Sequence, residues 1–337
     1  MKCLQKPLWR WPQGVKTMNV KQKIKKNFQL DKYYIYIITV GMIILCSILN
    51  ENFLTLKNFI NIFTQMSFTT IAAFAMTILL ITGNMDLALG SNMALSGIAS
   101  VVVYQATQSM VLSIIVAISF GMICGGITGS LINKLHLHPF IVGLGTKQIF
   151  RGIVLLYTGG AVISQVGDFK KFGQGRLFGV IPYPIIVMLV VMLITWVILN
   201  NTKFGRNCFA VGGNREAAIA SGINANSTVL KAFLIAGVFT GLAGMMLMSR
   251  TASGYPNAAE GYEMDAMTAA VIGGTSFTGG VGTAVGTLIG GLIVAIINNI
   301  LTLMGVQSYV QQILKGMIVV IAVAIDVNSR RKKMGQA

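Results

Sequence analysis

For acid–base, metal or nucleophilic chemistry the 337-residue chain offers nine acidic residues, two histidines and four cysteines. Cys3, Cys46, Cys124 and Cys208 have no CxxC spacing, and two of them lie in apolar runs, where a cysteine acts as a small hydrophobe. His136 and His138 sit beside Pro139 in a polar turn, a loop setting rather than a metal-binding one. A single acid stands deep in apolar sequence: Asp86, in ITGNMDLALGS, between uncharged runs that extend over 58–85 and 87–133. If those runs lie in a bilayer, a carboxylate there costs roughly 2.5–3.5 kcal/mol, and something must offset it. Asp86 could accept backbone N–H groups at the start of a helix, or pair with a cation inside a span, for which Lys147, Arg151 and Lys315 are available. Alternatively it could line or hinge a conduit.

The elements that must hold such a residue are membrane spans. The chain is 54% hydrophobic and only 10% charged, against about 25% charged for a soluble domain. Its formal charge of +17 is concentrated in a basic arm and a basic tail: nine of the 26 Lys and Arg lie in the first 32 residues, and Arg330, Arg331, Lys332 and Lys333 close the chain. Basic flanks beside apolar segments carry the positive-inside signal, and no nucleic-acid signature accompanies them. The arm is not expected to be a cleavable signal peptide, because its basic stretch is long and the first apolar run lacks a small-residue cleavage site; its Trp9 and Trp11 suit either a solvated tail or a segment held at anionic lipid.

A span needs about 20 apolar residues, which predicts ten: 33–49, 58–82, 85–104, 110–132, 139–157, 181–199, 229–249, 264–280, 282–304 and 309–326. The expected organisation is a cytoplasmic arm over 1–32, an all-α polytopic transmembrane domain over 33–326 and a cytoplasmic tail over 327–337. An even count returns both termini to the cytoplasm. The uncharged runs 87–133 and 266–314 occupy corresponding places in the two halves, and either could hold a re-entrant half-helix plus one span in place of two spans. The second contains VIGGTSFTGGVGTAVGTLIGG, whose glycines require protein or a cavity beside them rather than lipid. Paired Gly-interrupted segments point to a transporter built from two repeat-related halves.

The loop over 200–228, inward on this topology, predicts a chain break at Gly212-Gly213 and then a short helix near 214–221. Asn214 is a good N-cap, Glu216 suits the first turn, and Gly222 ends it after Ala217, Ala218 and Ser221. It is either an ordinary capped loop helix or a knob that fits a soluble partner. The outward GYPNAAEGYEMDAM sets Glu260, Tyr262 and Glu263 where an external protein could dock, although Glu263 and Asp265 would also suit the start of the next helix. Polar residues at conduit depth are Asn84, Ser91, Asn92, Thr275, Ser276, Thr278, Asn298 and Asn299, with Phe277 as an aromatic face; any of them could instead bond a neighbouring helix. No G-x-x-x-x-G-K-[ST] is present, so energy from ATP would have to come from another polypeptide.

GNMDLALGS, GRNCFAVGGNREAAIASGI and EGYEMDAMTAAVIGGTSFTGGVGTAVGTLIGG, in this order, resemble the permease subunits of ribose-type sugar importers of the ABC class, over roughly residues 30–328. The chain departs from that family at Met85-Asp86-Leu87-Ala88, where a serine is usual at the last position. The resemblance implies a ten-helix permease in the bacterial inner membrane that binds no cofactor and is not an enzyme. The 214–221 helix, through Arg215 and its neighbours, would couple it to ATP-binding subunits that carry ATP and Mg. A second permease copy or paralogue and an extracellular or periplasmic substrate-binding protein complete the implied assembly. The implied cargo is ribose or a related monosaccharide, with a furanose-like signalling molecule or another small polar solute as alternatives. An ion-coupled secondary transporter using Asp86 and Lys315 is the rival from another class.

Overall fold

The computed structural model describes residues 35–334; the expected arm over 1–32, with Trp9, Trp11 and Cys3, lies outside the described residues, as do the last three. The described residues are mostly helical. Helices α1 (Ile35–Leu49), α2 (Leu56–Ile81), α3 (Leu89–Thr107), α4 (Met110–Leu135) and α5 (Pro139–Thr158) form the first half. A connecting segment holds a 3-10 turn (Gly167–Phe169), α6 (Lys170–Gln174) and a two-stranded hairpin of β1 (Arg176–Leu177) and β2 (Ile181–Pro182), with Leu177 opposite Ile181. Then come α7 (Tyr183–Asn201), α8 (Lys203–Gly213), α9 (Arg215–Ala220), α10 (Ala225–Thr251), α11 (Tyr262–Ile272), α12 (Ala284–Leu303) and α13 (Ser308–Met334).

Side-chain caps set the starts of the long helices. Thr55, Ser109, Asn224 and Thr283 accept from backbone N–H groups in the first turns of α2, α4, α10 and α12, which satisfies donors that would otherwise be orphaned. Among the described residues six helices, α2, α4, α5, α7, α10 and α12, are long and apolar enough to cross a membrane by themselves. The ten expected spans correspond to α1–α5, α7 and α10–α13, and α13 continues past the expected end at 326 to Met334.

Most of α2 is buried, and α7, α10, α11 and α12 pack against it. α10 runs against α4 through small residues: a Cβ on Gly121 would strike the Gly237 carbonyl, and one on Gly237 would strike that of Gly121. Backbones can approach this closely only without side chains between them, which is how helices associate where no hydrophobic force separates them from lipid. Polar side chains add cross-links. The amides of Asn58 and Asn299 donate to each other at 3.0 and 2.8 Å, tying the start of α2 to α12. Thr77 and Thr287 hydroxyls meet at 2.7 Å between the same two helices.

The bundle has two ends. At one, α9 lies with the end of α2, the start of α3 and the start of α10, where Asn133 donates to the Asn226 carbonyl at 2.8 Å. At the other lie the α3–α4 turn, the hairpin segment and the end of α10, joined by Gln105 to the Ser164 carbonyl (2.9 Å) and by Gln174 to the Arg250 carbonyl (3.0 Å).

For the run 266–314 the structure replaces a full span over 264–280 with the alternative reading, a half-helix plus one span. α11 has only 11 residues, about 16 Å, and the chain then leaves helix until Thr283. The start of α11 is also deep: Lys147 and Arg151, about 12 and 18 Å along α5, bond Glu263 and the carbonyls of Pro256 and Ala258. The segment before α11 therefore enters the bundle from the hairpin end, and α11 is a half-helix that finishes the crossing.

Candidate functional site

Two helix breaks meet at the α9 end. After α2, Thr82 donates through Oγ1 to the Leu79 carbonyl (2.7 Å), Gly83 takes φ 75, and the Asn84 amide donates to the Thr82 carbonyl (3.1 Å). The Ala88 N–H then donates to Asp86 Oδ1 at 2.8 Å, one residue before α3 begins. The three cations that could have paired with Asp86 are engaged elsewhere. Lys147 Nζ lies 2.6 Å from Glu263 Oε1 and Lys315 Nζ 2.8 Å from Asp265 Oδ2. The Arg151 guanidinium donates to the Pro256 and Ala258 carbonyls. Asp86 thus holds backbone at the start of α3, the first of its two structural readings, rather than a salt bridge.

After α11, the break over 273–283 is closed by its own backbone. Thr275 N–H donates to the Ala270 carbonyl and Ser276 N–H to that of Val281, both at 2.9 Å, while the Ser276 and Thr278 hydroxyls meet at 2.9 Å. Gly274, Gly279 and Gly280 take φ of 88, 97 and 73, where a Cβ is strained. The Gly280 N–H donates to the carbonyl of Ile81, the last residue of α2, at 2.9 Å. One break is therefore bonded directly to the helix that precedes the other.

The α8–α9 segment leans on the same place. Residues 203–213, expected as loop with Gly212-Gly213 breaking the chain, instead form α8, ending on those two glycines. The Thr202 hydroxyl accepts from Gly205 N–H (3.0 Å), and Cys208 and Val211 bury one face. That signal was in the sequence: a threonine cap followed by apolar Phe204, Cys208 and Val211 one turn apart. α9 follows as expected, with Asn214 Oδ1 accepting from Ala217 N–H at 2.9 Å and Gly222 at φ 82 beyond its end. Arg215, Glu216, Ala217, Ser221 and Gly222 are exposed and Ile219 is 53% exposed, so only Ala218 faces inward. Between the root of α9 and the first break lies a cavity of about 490 Å³ lined by Asn84, Asn133, His136, His138 and Arg215.

The remaining conduit candidates divide. Ser91, Thr275 and Ser276 are fully buried. Asn92 is spent on structure, donating to the Gly121 carbonyl (3.2 Å) and Thr240 Oγ1 (2.9 Å), and Asn299 is spent on Asn58. Phe277 is half-buried and Thr278 exposed at the second break. Asn298 lines a second cavity of about 470 Å³, toward the hairpin end, with Arg250, Tyr262, Asp265, Gln311 and Lys315. Among the docking candidates, Glu260 is exposed and Tyr262 half-buried, but Glu263 is corrected: at 2% exposure and paired with Lys147 it cannot present a charge to an external protein. Its second oxygen has no hydrogen-bond partner and lies where a Cβ on Gly90 would fall.

Residues 58–323 match the family described as branched-chain amino acid transport system / permease component. The chain is 42% identical to a ribose import permease of Bacillus subtilis over 288 residues, 85% of this chain and 89% of that one. It is 35% identical to the ribose import permease of Escherichia coli K12 (85% and 90% covered) and 38% identical to the D-allose transport system permease of the same organism (89% and 93%). No solved structure matches it. With a family match over most of its length and relatives at this identity, the chain belongs to the ribose-type permease family of ABC importers, as a multi-pass inner-membrane subunit that leaves ATP hydrolysis to a partner.

Proposed function

We propose that this permease carries ribose or a closely related monosaccharide inward, driven by an ATP-binding subunit that grips α9. The cargo class comes from the relatives named for ribose and allose import. A furanose-like signalling molecule or another small polar solute would suit the same sparse amides and hydroxyls. A substrate-binding protein outside the cell would deliver the cargo, and ATP and Mg would reside on the partner subunit. A second copy of the permease, or a paralogue, would complete the pathway.

The observation that carries the coupling role is α9 itself: a capped helix with all but one residue exposed, rooted beside two helix breaks. Lys134, Lys203, Arg206 and Arg215 gather at the same end, which supports a cytoplasmic α9 and cytoplasmic termini. In the working cycle, closure of the ATP-binding subunits pushes on Asn214–Ser221, and α8 passes the motion to the breaks at 82–88 and 273–283. The paths past Asn84 on one side and Asn298 on the other open in turn, and the sugar crosses without a covalent change. Membrane lipid contacts the apolar outer faces, such as Ile44, Ile48 and Leu156.

Charge reversal at Glu216 together with a bulky residue at Ala217 tests this in proteoliposomes holding the full complex. The expected outcome is loss of sugar uptake together with loss of the ATPase stimulation that loaded binding protein gives. Wild-type uptake and stimulation would remove α9 from the coupling role.

A further inference from the structure

At the end of α8, three backbones converge with no side chain between them. The carbonyl of Ile81, which closes α2, accepts from the Gly280 N–H at 2.9 Å. Gly212 sits against that same bonded pair: a Cβ there would overlap the Ile81 oxygen and crowd the Gly280 nitrogen. The approach is mutual, because a Cβ on Gly279 would strike the Gly212 carbonyl. One residue further on, Gly213 is different; a Cβ there meets nothing within 4 Å. Asn214, the cap of α9, follows immediately.

We propose that Gly212 is a positioning residue through which the α8–α9 unit works on both helix breaks at once. The proposal rests on the reading of α9 as the ATPase contact. Close-packed backbone transmits displacement with little slack, and here the displaced element touches the bond that joins the first break to the second. A push on α9 reaches Ile81 and Gly280 together, so residues 82–88 and 273–283 must move as a pair rather than in sequence. A side chain at 212 would wedge α8 away from that bond and leave α9 able to bind its partner but unable to move the breaks.

The test uses the full complex in nanodiscs and proteoliposomes. Gly212→Ala is expected to retain the ATP-binding subunits at wild-type stoichiometry while binding-protein-stimulated uptake falls about tenfold, within the range usual for loss of coupling between sites. Gly213→Ala is expected to stay within about twofold of wild type, since its Cβ meets open space. Wild-type uptake in Gly212→Ala, or equal losses in both variants, overturns the proposal. If Gly212→Ala does not assemble, hydrogen exchange on the wild-type complex decides. Adding ATP should change exchange in peptides covering 81–88 and 275–282 whenever it changes 210–220. A change confined to 210–220 overturns the proposal. The underlying reading fails separately: if reversing Glu216 leaves partner binding and stimulation intact, α9 is not the contact, whatever Gly212→Ala does.

Discussion

The two breaks solve one problem with different materials. After α2 the chain turns on side chains: Thr82, Asn84 and Asp86 each bond backbone within two or three residues. After α11 it turns mainly on glycines in the left-handed region, and the hydroxyls of Ser276 and Thr278 do little more than bond each other and the local backbone. The first break is specified by chemistry and resists change of residue type; the second is specified by permissiveness and resists any added Cβ. The Ile81–Gly280 hydrogen bond joins a turn held by side chains to one held by glycines.

Glu263 gives the largest expected effect, because it stands beside the first break while belonging to the helix before the second. Glu263→Ala leaves the Lys147 ammonium unpaired. With Lys147 still 30% exposed, we expect about 3 kcal/mol, the low end for breaking a buried pair, seen as a lower unfolding midpoint in detergent. The double variant Lys147→Met with Glu263→Leu should recover most of it, and no recovery would mean that the carboxylate does more than pair. Next, Asp86→Ala orphans the Ala88 N–H, at about 1–3 kcal/mol, while Asp86→Asn keeps an acceptor and should restore most of the midpoint. If Asn behaves like Ala, the negative charge itself matters and the side-chain closure of the first break is more than a hydrogen bond. The smallest change is at the second break. Gly274, at φ 88 with nothing near its missing Cβ, isolates backbone strain, so Gly274→Ala should cost about 1–2 kcal/mol. A neutral result would show that permissiveness is not what shapes this turn.

How much of this was legible depended on range. α9 could be read from neighbours alone, since Asn214, Glu216 and Gly222 carry cap, dipole and stop signals inside one short stretch. The Asp86 cap was among the local possibilities for the same reason. Hydropathy could not see that α11 is a half-helix, because an apolar Gly-rich run reads alike whether the backbone spans or turns. Partners far apart in the chain were equally hidden: Glu263 finds Lys147 across 116 residues and Asp265 finds Lys315 across 50. α8 is hidden for a simpler reason: a Gly-Gly pair reads as a break, whereas here Gly212 allows a close backbone approach at the end of a helix.

The Asn58–Asn299 clasp has a consequence for how the chain is made. Its halves are 241 residues apart, so at a ribosomal rate of about 5–20 residues per second the earlier amide waits on the order of ten to fifty seconds for the later one. In the folded chain the Asn58 Nδ2 also reaches the Phe53 carbonyl at 3.0 Å, an acceptor only five residues away that is made before Asn299. The last-made part of the bundle thus fastens onto the first.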